Sequence, residues 1–296
     1  MSWEFEGLFE REEPEDGQQD FWSSQPTSVR VGQMGYRTKT TKAGERLEAE
    51  VYPIYGRQDK GRLRAAKKAK SRKAVQDLNE RRAKRHLVNL IETNFHRGDH
   101  HILLTYETEP TEARAKKDIY NFLRRLRRMR EKKGLPELKY IYAMGGGEED
   151  DEKRIHFHLM TNKGLTEEEI IACWNMTPGA GIANRDILQP DENGLEALSQ
   201  YFFKQHKDRA AADQIGKHSY CPSRNLKQPK VRTSDTKCSN ARVRRIAHDI
   251  RNEAKAEMEK IYPGYRFIDC SVRYSDIISG VYIRCVMRRR EEVRWK

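Results

Sequence analysis

The sequence predicts an α+β protein in which helices pack on a central antiparallel sheet. Short β-branched and aromatic segments alternate with longer segments whose apolar residues recur every three or four positions. Two of the apolar segments, 138–144 and 154–161, are separated only by a Gly-rich and acidic turn, which is typical of an antiparallel hairpin. Apolar residues make up 36% of the 296 residues, enough for one or two modest cores.

Each element carries a local signal along the chain. Helices are indicated by apolar spacing between Pro or Gly breakers, and strands by their β-branched and aromatic content. The predicted strands are 48–56, 101–108, 138–144, 154–161, 183–188, 265–274 and 280–289. The predicted helices are 60–94, 110–134, 166–175, 194–207 and 241–262.

These elements divide the chain into four parts. They are an acidic arm at 1–34, an N-terminal strand with a basic helix at 35–98, the central sheet domain at 99–235, and a C-terminal helix with a β-hairpin at 236–296. The arm holds eight acidic residues in its first twenty positions against Arg11 alone, so we expect it to be disordered. It serves either as a solubilising tail or as an intramolecular mimic of DNA that covers a basic site.

The charge of the chain narrows its partners. Lys and Arg number 58 against 45 Asp and Glu, a net charge of +13 that indicates a polyanion, with nucleic acid first. No apolar run approaches the roughly 20 residues of a membrane span, and the acidic first residues do not fit a secretory signal. The five cysteines include no CxxC pair, which argues against disulfides or a cysteine zinc site. We therefore expect a soluble, cytoplasmic protein with no membrane partner.

Basic residues cluster in two segments. Residues 57–86 hold thirteen Lys and Arg against three acids, and 114–133 hold ten. The second segment also carries an apolar stripe, so it predicts an amphipathic helix whose basic face complements a phosphate backbone. The side chains predicted to contact DNA in the two segments are Lys67, Lys68, Arg124, Arg125, Arg127 and Arg128.

A His-Phe-His sequence lies in the middle of the strand predicted at 154–161. Because a strand alternates its faces, His156 and His158 project to one side and Phe157 to the other. Neutral imidazoles on one face can hold a divalent ion when carboxylates assist. The alternative is a pair of surface histidines without a role.

The helix predicted at 194–207 carries Tyr201 and Lys204 one turn apart, so the two residues share a helix face. A tyrosine beside a cation and near a metal ionises more easily and can attack phosphorus. A bound metal would neutralise the charge that develops on the phosphate. Alternatively, Tyr201 is a core aromatic residue of this helix, like the two phenylalanines that follow it.

In combination, the HxH strand and the YxxK helix resemble the HUH endonucleases that initiate rolling-circle replication. Over roughly 36–290 the chain also resembles the phage- and plasmid-type Rep proteins of Gram-positive bacteria. The segments are TKAGERLEAEVYPIYG (41–56), LNERRAKRHLVNLIETNF (78–95), LLTYE (103–107), IHFHLMTNKGLTEEEI (155–170), LQPDENGLEAL (188–198), SRNLKQPKV (223–231) and YPGYRFIDCSVRY (262–274). The resemblance implies an HUH, RRM-like fold and nicking endonuclease activity for 99–235, with additional N- and C-terminal α/β elements.

The resemblance also implies a role for each site residue. His156 and His158 would bind Mg²⁺ or Mn²⁺. Tyr201 would attack DNA, leaving a 5′-phosphotyrosyl link and a free 3′-OH, and Lys204 would orient the tyrosine. In the family a Glu that completes the metal site often follows the strand at 138–144, where this chain has three glycines and then acids. The candidates for this ligand are Glu148 first, then Glu149 or Glu107.

The expected partners are DNA and host replication proteins. The chain carries no P-loop motif, which implies that a host helicase unwinds the duplex, and the resemblance implies that a host polymerase extends the 3′-OH. The substrate would be single-stranded or hairpin origin DNA. In the SRNLKQPKV segment, Arg224 and Lys227 are predicted DNA contacts, and Thr105 and Tyr106 of LLTYE are expected to support the site.

Alternatives from two classes stay open. A conjugative relaxase or a single-strand transposase shares the HxH and tyrosine chemistry, although relaxases usually carry their tyrosine near the N-terminus. A non-catalytic single-stranded nucleic-acid-binding protein also suits an antiparallel sheet with helices. Nicking with a covalent adduct at Tyr201 would separate the enzymes from the binding protein.

Overall fold

The fold is taken from a computed structural model that describes residues 33–55, 72–146, 154–207, 220–250, 252–274 and 280–290. In three stretches of these elements, 33–34, 72–78 and 203–207, only the backbone is described. The acidic arm expected at 1–34 therefore lies outside the described residues up to position 32, as does 60–71 of the long basic helix.

The described residues form ten strands and six helices, and the predicted α+β class is confirmed. In chain order the elements are β1 (Gln33–Ala43), β2 (Arg46–Tyr55), α1 (Arg72–Asn94), β3 (His100–Tyr106), α2 (Glu112–Lys132), β4 (Tyr140–Gly145), β5 (His156–Thr161), α3 (Glu167–Asn175), β6 (Ala180–Ile187), α4 (Glu196–Lys207), β7 (Cys221–Pro222), β8 (Lys230–Ser234), α5 (Asn240–His248), α6 (Glu253–Ile261), β9 (Tyr265–Tyr274) and β10 (Val281–Arg289). No helix among the described residues is both long and apolar enough to cross a membrane.

The central sheet has five antiparallel strands in the order β6-β3-β5-β4-β7. Strands β4 and β5 pair from Tyr140 opposite Thr161 to Gly145 opposite His156, so the predicted antiparallel pairing of these strands is confirmed. Strand β3 pairs with β5 on the other side and sets Leu103 opposite His158. The strand with the HxH sequence is therefore the middle strand of this sheet.

The two faces of the central sheet are covered by different helices. On one face, alternate residues such as Leu104 and Phe157 are buried against α2 and α3. On the other face, Ala143 and Met160 are buried against α1 and α4, together with the fully buried Phe202. We name these the arginine face, after the basic helix α2, and the histidine face, after His156 and His158. Because strand residues alternate between the two faces, every strand of this sheet contributes to both.

Helix α2 has defined ends and one buried stripe. The Thr111 hydroxyl accepts the Arg114 amide at the N-terminus, and Gly134 with φ of +64° follows the last turn. Arg130 of the basic run is buried and donates to the carbonyls of Pro136, Asn162 and Lys163. One arginine of the run therefore has a structural role in closing the loops at this end of the sheet.

A second five-stranded antiparallel sheet, in the order β8-β1-β2-β10-β9, joins the N-terminal and C-terminal parts of the chain. Val51 of β2 pairs with Ile283 of β10, and both are buried beneath α5 and α6. The sequence indicated these strands as separate flanking elements, because nothing local reports a pairing between residues more than 200 positions apart.

Two elements differ from the sequence-based assignment. Strand β1 precedes the predicted strand at 48–56 and pairs with it as a hairpin, although its Lys- and Thr-rich sequence has little apolar pattern. The helix predicted at 241–262 is two helices, α5 and α6, because α5 ends at Asp249 in an extended conformation. That single helix was wrong, and the break lets both short helices cover the second sheet.

Buried charges connect the two sheets through α1. Glu48 of β2 receives hydrogen bonds from Arg284 at 2.5 Å and from Asn89 of α1 at 3.2 Å. Burial raises the pKa of the Glu48 carboxyl, but the Arg284 guanidinium and these hydrogen bonds bring it below its usual value. Glu92 of α1 accepts the Leu195 amide at 2.6 Å, directly before α4 begins. The start of α4 is thus held by a helix that is itself bound to the second sheet.

Candidate functional site

Strand β5 presents two imidazoles on the histidine face, as the alternation of the strand predicts. The rings of His156 and His158 lie 5.1 Å apart between centroids and almost perpendicular to each other. His158 is buried, with 2% of its surface exposed, whereas His156 is half-exposed. Phe157 between them is fully buried in the core of the opposite face.

A third histidine, which the sequence did not single out, lies against this pair. The His101 ring of β3 stacks on His158 with centroids 5.4 Å apart and an angle of 9°. His101 Nε2 and His158 Nδ1 are 3.2 Å apart, a hydrogen bond whose donor depends on the tautomers. The missed signal is alternation, because His101 is two residues before Leu103 and therefore shares its face.

Tyr201 of α4 lies directly over the buried imidazole. Its ring centroid is 4.9 Å from that of His158, with the rings at 83°. The next residue, Phe202, is fully buried and lies 5.6 Å from His101 and 5.9 Å from His158, also between centroids. Phe202 thus anchors the helix on the sheet and Tyr201 remains half-buried beside the histidines. Lys204 lies one turn further along α4, where only the backbone is described.

The surroundings of the imidazoles keep them neutral near pH 7. Burial, with smaller contributions from His101 and His156, lowers the pKa of His158 to about 3. Burial also lowers the pKa of His101, and the carboxylate of Asp186 on β6 opposes this shift. Neutral imidazole is the form that binds metal ions.

The donor set can be compared with that of a divalent metal site. The Nε2 atom of His158 is buried and has no hydrogen-bond partner among the described residues, so it has a lone pair or a proton to offer. His156 and His158 therefore fit as two nitrogen ligands. No third His, Cys, Asp or Glu joins them closely enough within the described ranges to complete a metal cluster. Glu148 and Glu149, expected to supply that ligand, lie in 147–153, outside the description.

An open cavity of about 650 Å³ adjoins the two histidines and Tyr201. Its further lining includes Thr105 and Glu107 from the end of β3, so Glu107 is the candidate third ligand that the structure brings to the site. Thr105 Oγ1 accepts the Ile182 amide at 2.9 Å and thereby ties β6 to β3 beside the cavity. The side chain of Tyr106 instead packs on the arginine face.

The predicted DNA contacts are not gathered around this cavity. Helix α2 carries its arginines on the arginine face, across the sheet from the imidazoles, with Arg124, Arg127 and Arg128 exposed. Arg125 is half-buried and donates to Thr177 Oγ1 at 2.6 Å. In the SRNLKQPKV segment, the side chains of Arg224 and Lys227 are exposed. Lys67 and Lys68 lie outside the described residues.

Comparison with known proteins identifies the segment that contains this site. Residues 99–210 match the model of a family described as a replication-associated protein of the ORF2 type. The predicted resemblance to a rolling-circle replication initiator family is confirmed. The matched segment runs from β3 through α4, so it includes His156, His158 and Tyr201. It supports a role in the initiation of DNA replication. No curated protein and no solved structure matches the chain.

Proposed function

We propose that the protein initiates rolling-circle replication by nicking and rejoining single-stranded DNA through Tyr201. The observation that carries this proposal is the position of the Tyr201 ring against His158 in an open cavity. A tyrosine beside two neutral imidazoles can attack a phosphate that those imidazoles hold through a metal. The family match over 99–210 supports the replication part of the proposal.

The proposed reaction is a phosphoryl transfer in two directions. The Tyr201 hydroxyl loses its proton, its oxygen forms a bond to phosphorus, and the bond between phosphorus and the 3′ oxygen breaks. The 3′ oxygen takes up a proton and becomes the primer end, while the 5′ side stays on the tyrosine. The reverse attack by a 3′-OH rejoins the strand and frees Tyr201. One phosphodiester bond is exchanged for another, so no energy-rich cofactor is needed.

The side chains of the site divide the remaining work in this proposal. His156 and His158 would hold Mg²⁺ or Mn²⁺, which stabilises negative charge on the scissile phosphate when bound. Glu107 lines the cavity and is one candidate for the third ligand, with Glu148 and Glu149 as the others. Lys204 is one helical turn from Tyr201, and we propose that it orients the tyrosine and favours its ionised form.

The proposed partners follow from the chemistry. Origin DNA enters as a single strand or an extruded hairpin, because an attacking tyrosine needs access to the phosphate backbone. A host helicase and a host polymerase supply unwinding and extension. We expect this work to take place in the cytoplasm, where these partners are found.

A covalent-adduct assay tests the proposal directly. Labelled single-stranded origin DNA is incubated with the protein and Mn²⁺, and the adduct is resolved on a denaturing gel and mapped to its tyrosine. The Tyr201→Phe variant should keep DNA binding and lose both the nick and the adduct. Tyr282→Phe, in the second sheet, is the matched control and should behave like the unmodified protein. Nicking that survives in Tyr201→Phe would refute the assignment of the nucleophile.

The same assay separates the alternative classes. A non-catalytic single-stranded nucleic-acid-binding protein would bind the labelled strand and form no adduct with any metal. A relaxase or transposase would form the tyrosine adduct but would depend on its own transfer-origin or transposon-end sequence rather than a replication origin.

A further inference from the structure

A second cavity of about 650 Å³ lies on the arginine face, at the outer edge of the central sheet. Its lining combines two tyrosines, two arginines and one carboxylate, and we name it the edge cleft: Tyr120, Arg127, Glu137, Leu138, Tyr140, Ser223, Arg224 and Asn225. Tyr140 opens β4, and its ring packs towards α2, whereas the next residue, Ile141, is buried on the histidine face. The edge cleft and the Tyr201 cavity therefore lie on opposite faces.

The two cavities are also far apart along the sheet. Tyr140 pairs with Thr161, which is five residues along β5 from His156. At about 3.3 Å per residue, this separates the two sites by roughly 16 Å, in addition to the thickness of the sheet. A single nucleotide cannot touch both, so any DNA in the edge cleft flanks the scissile phosphate.

The aromatic groups of the edge cleft suit an unpaired base. Tyr120 is 62% exposed, an unusual position for a large aromatic side chain unless it meets a partner. The Arg127 guanidinium lies 5.4 Å from the centre of the Tyr140 ring and donates to its hydroxyl at 3.1 Å. Exposed tyrosines and arginine planes are the groups on which single-stranded bases stack.

The loop that carries Arg224 is held in place by hydrogen bonds on both sides. The Ser223 amide donates to the Tyr140 carbonyl at 2.8 Å, and the Tyr140 amide donates to Ser223 Oγ at 3.0 Å. Asn225 Nδ2 donates to the Leu138 carbonyl at 3.1 Å. Arg224 is thus presented from a fixed backbone, which lowers the entropy lost when it binds a ligand.

The charges around the edge cleft favour a nucleic acid. The ion pairs formed between described residues leave the guanidinium groups of Arg124, Arg127, Arg128 and Arg224 without a carboxylate partner. Four cations of this kind complement a phosphate backbone. Glu137 is the acidic side chain in the lining, and a carboxylate accepts hydrogen bonds from the exocyclic amino group of a base.

We propose that the edge cleft binds single-stranded DNA that flanks the nicked phosphate. A base stacks on Tyr120 and Tyr140, and the neighbouring phosphates pair with Arg127 and Arg224. The inference rests on the proposed function in taking the bound strand to be the one that Tyr201 cuts. It adds that the strand passes from the histidine face around the β4–β7 edge to the arginine face.

Binding of single-stranded oligonucleotides of increasing length tests this inference. Fluorescence anisotropy is measured with a short strand of about 8 nucleotides centred on the nick and with strands extended to about 30 nucleotides. Tyr120→Ala should weaken the longer strands about tenfold and leave both affinity and nicking of the short strand unchanged. Tyr120→Phe keeps the ring and should bind the long strands like the unmodified protein.

Charge variants make the second part of the test. Arg127→Ala and Arg224→Ala should each lower the salt dependence of long-strand binding by about 0.7 in the log–log slope. Lys117→Ala removes one exposed charge from the same helix away from the edge cleft, and serves as the matched control. It should leave the preference for long strands over short ones intact.

Three results would overturn the inference. They are unchanged long-strand affinity in Tyr120→Ala, an equal loss on short and long strands, or an equal loss on duplex DNA of the same length. Failure of the proposed function has a different signature, because it appears as an adduct that persists in Tyr201→Phe. The two proposals can therefore fail separately.

Discussion

The two faces of the central sheet differ in the state of their charges. On the histidine face, burial keeps the His158 imidazole neutral and packs it against Tyr201 and Phe202. On the arginine face, α2 exposes guanidinium groups that have no carboxylate partner among the described residues. The difference teaches that chemistry and attraction for DNA need not share a surface. A neutral, partly dry site suits metal binding and nucleophilic attack, whereas long-range attraction works best from exposed charge.

Removing both imidazoles breaks the histidine face most directly. We expect His156→Ala combined with His158→Ala to lose metal-dependent cleavage by a factor of at least about a thousand, because several kcal/mol of charge stabilisation disappear. Salt-sensitive DNA binding should persist, since α2 lies across the sheet. Gel assays with Mn²⁺ and with a chelator measure the first effect, and anisotropy measures the second. Cleavage by the unmodified protein in chelator would contradict the metal site.

Truncation of Phe202 tests how the nucleophile is held over the sheet. Its ring is fully buried between α4 and the histidines, so Phe202→Ala should lower the free energy of unfolding by about 3–5 kcal/mol. Phe202→Leu fills most of the space and should cost less than half as much. Urea unfolding followed by circular dichroism gives both values. A cost below about 1 kcal/mol in Phe202→Ala would mean that α4 does not depend on this anchor.

The pH dependence of stability distinguishes the faces by titration. The pKa of His158 is about 3 when folded, well below its ordinary value of 6.5. The unfolded chain therefore binds more protons between these values, so the contribution of neutral His158 to stability is full above about pH 6.5 and lost as the pH falls towards 3. This slope reaches up to about 1.4 kcal/mol per pH unit in chelator. His158→Gln should flatten the profile, whereas Arg128→Ala on the arginine face should leave it unchanged.

Charge removal on the arginine face should have the smallest effect. Arg124→Ala with Arg128→Ala should lower the salt slope of single-strand binding by about 1.4 and leave the rate of nicking at saturating DNA unchanged. Lys255→Ala with Lys260→Ala removes the same charge from α6 of the second sheet and serves as the control. If the nicking rate at saturation falls with the arginines, the two faces are not functionally separate.

Much of the central sheet was predictable because its signals are local. The pairing of β4 with β5, the strand with two histidines on one side and the amphipathic helix α2 all depend on spacing within about twenty residues. His101 was missed, because its relevance comes from a neighbouring strand in register with His158 rather than from its own surroundings. The second sheet was missed for the same reason, since its strands come from both ends of the described chain.

The sequence by itself determined that His156 and His158 share a face, that Tyr201 lies on a helix, and that α2 has one apolar and one basic side. Alternation and helical periodicity are properties of a few consecutive residues, so they can be read without the fold. Only the tertiary structure decided that α4 covers the histidine face and α2 the opposite one. It also decided that His158 is buried enough to stay neutral. These outcomes depend on which distant segments pack together, and no local pattern encodes that choice.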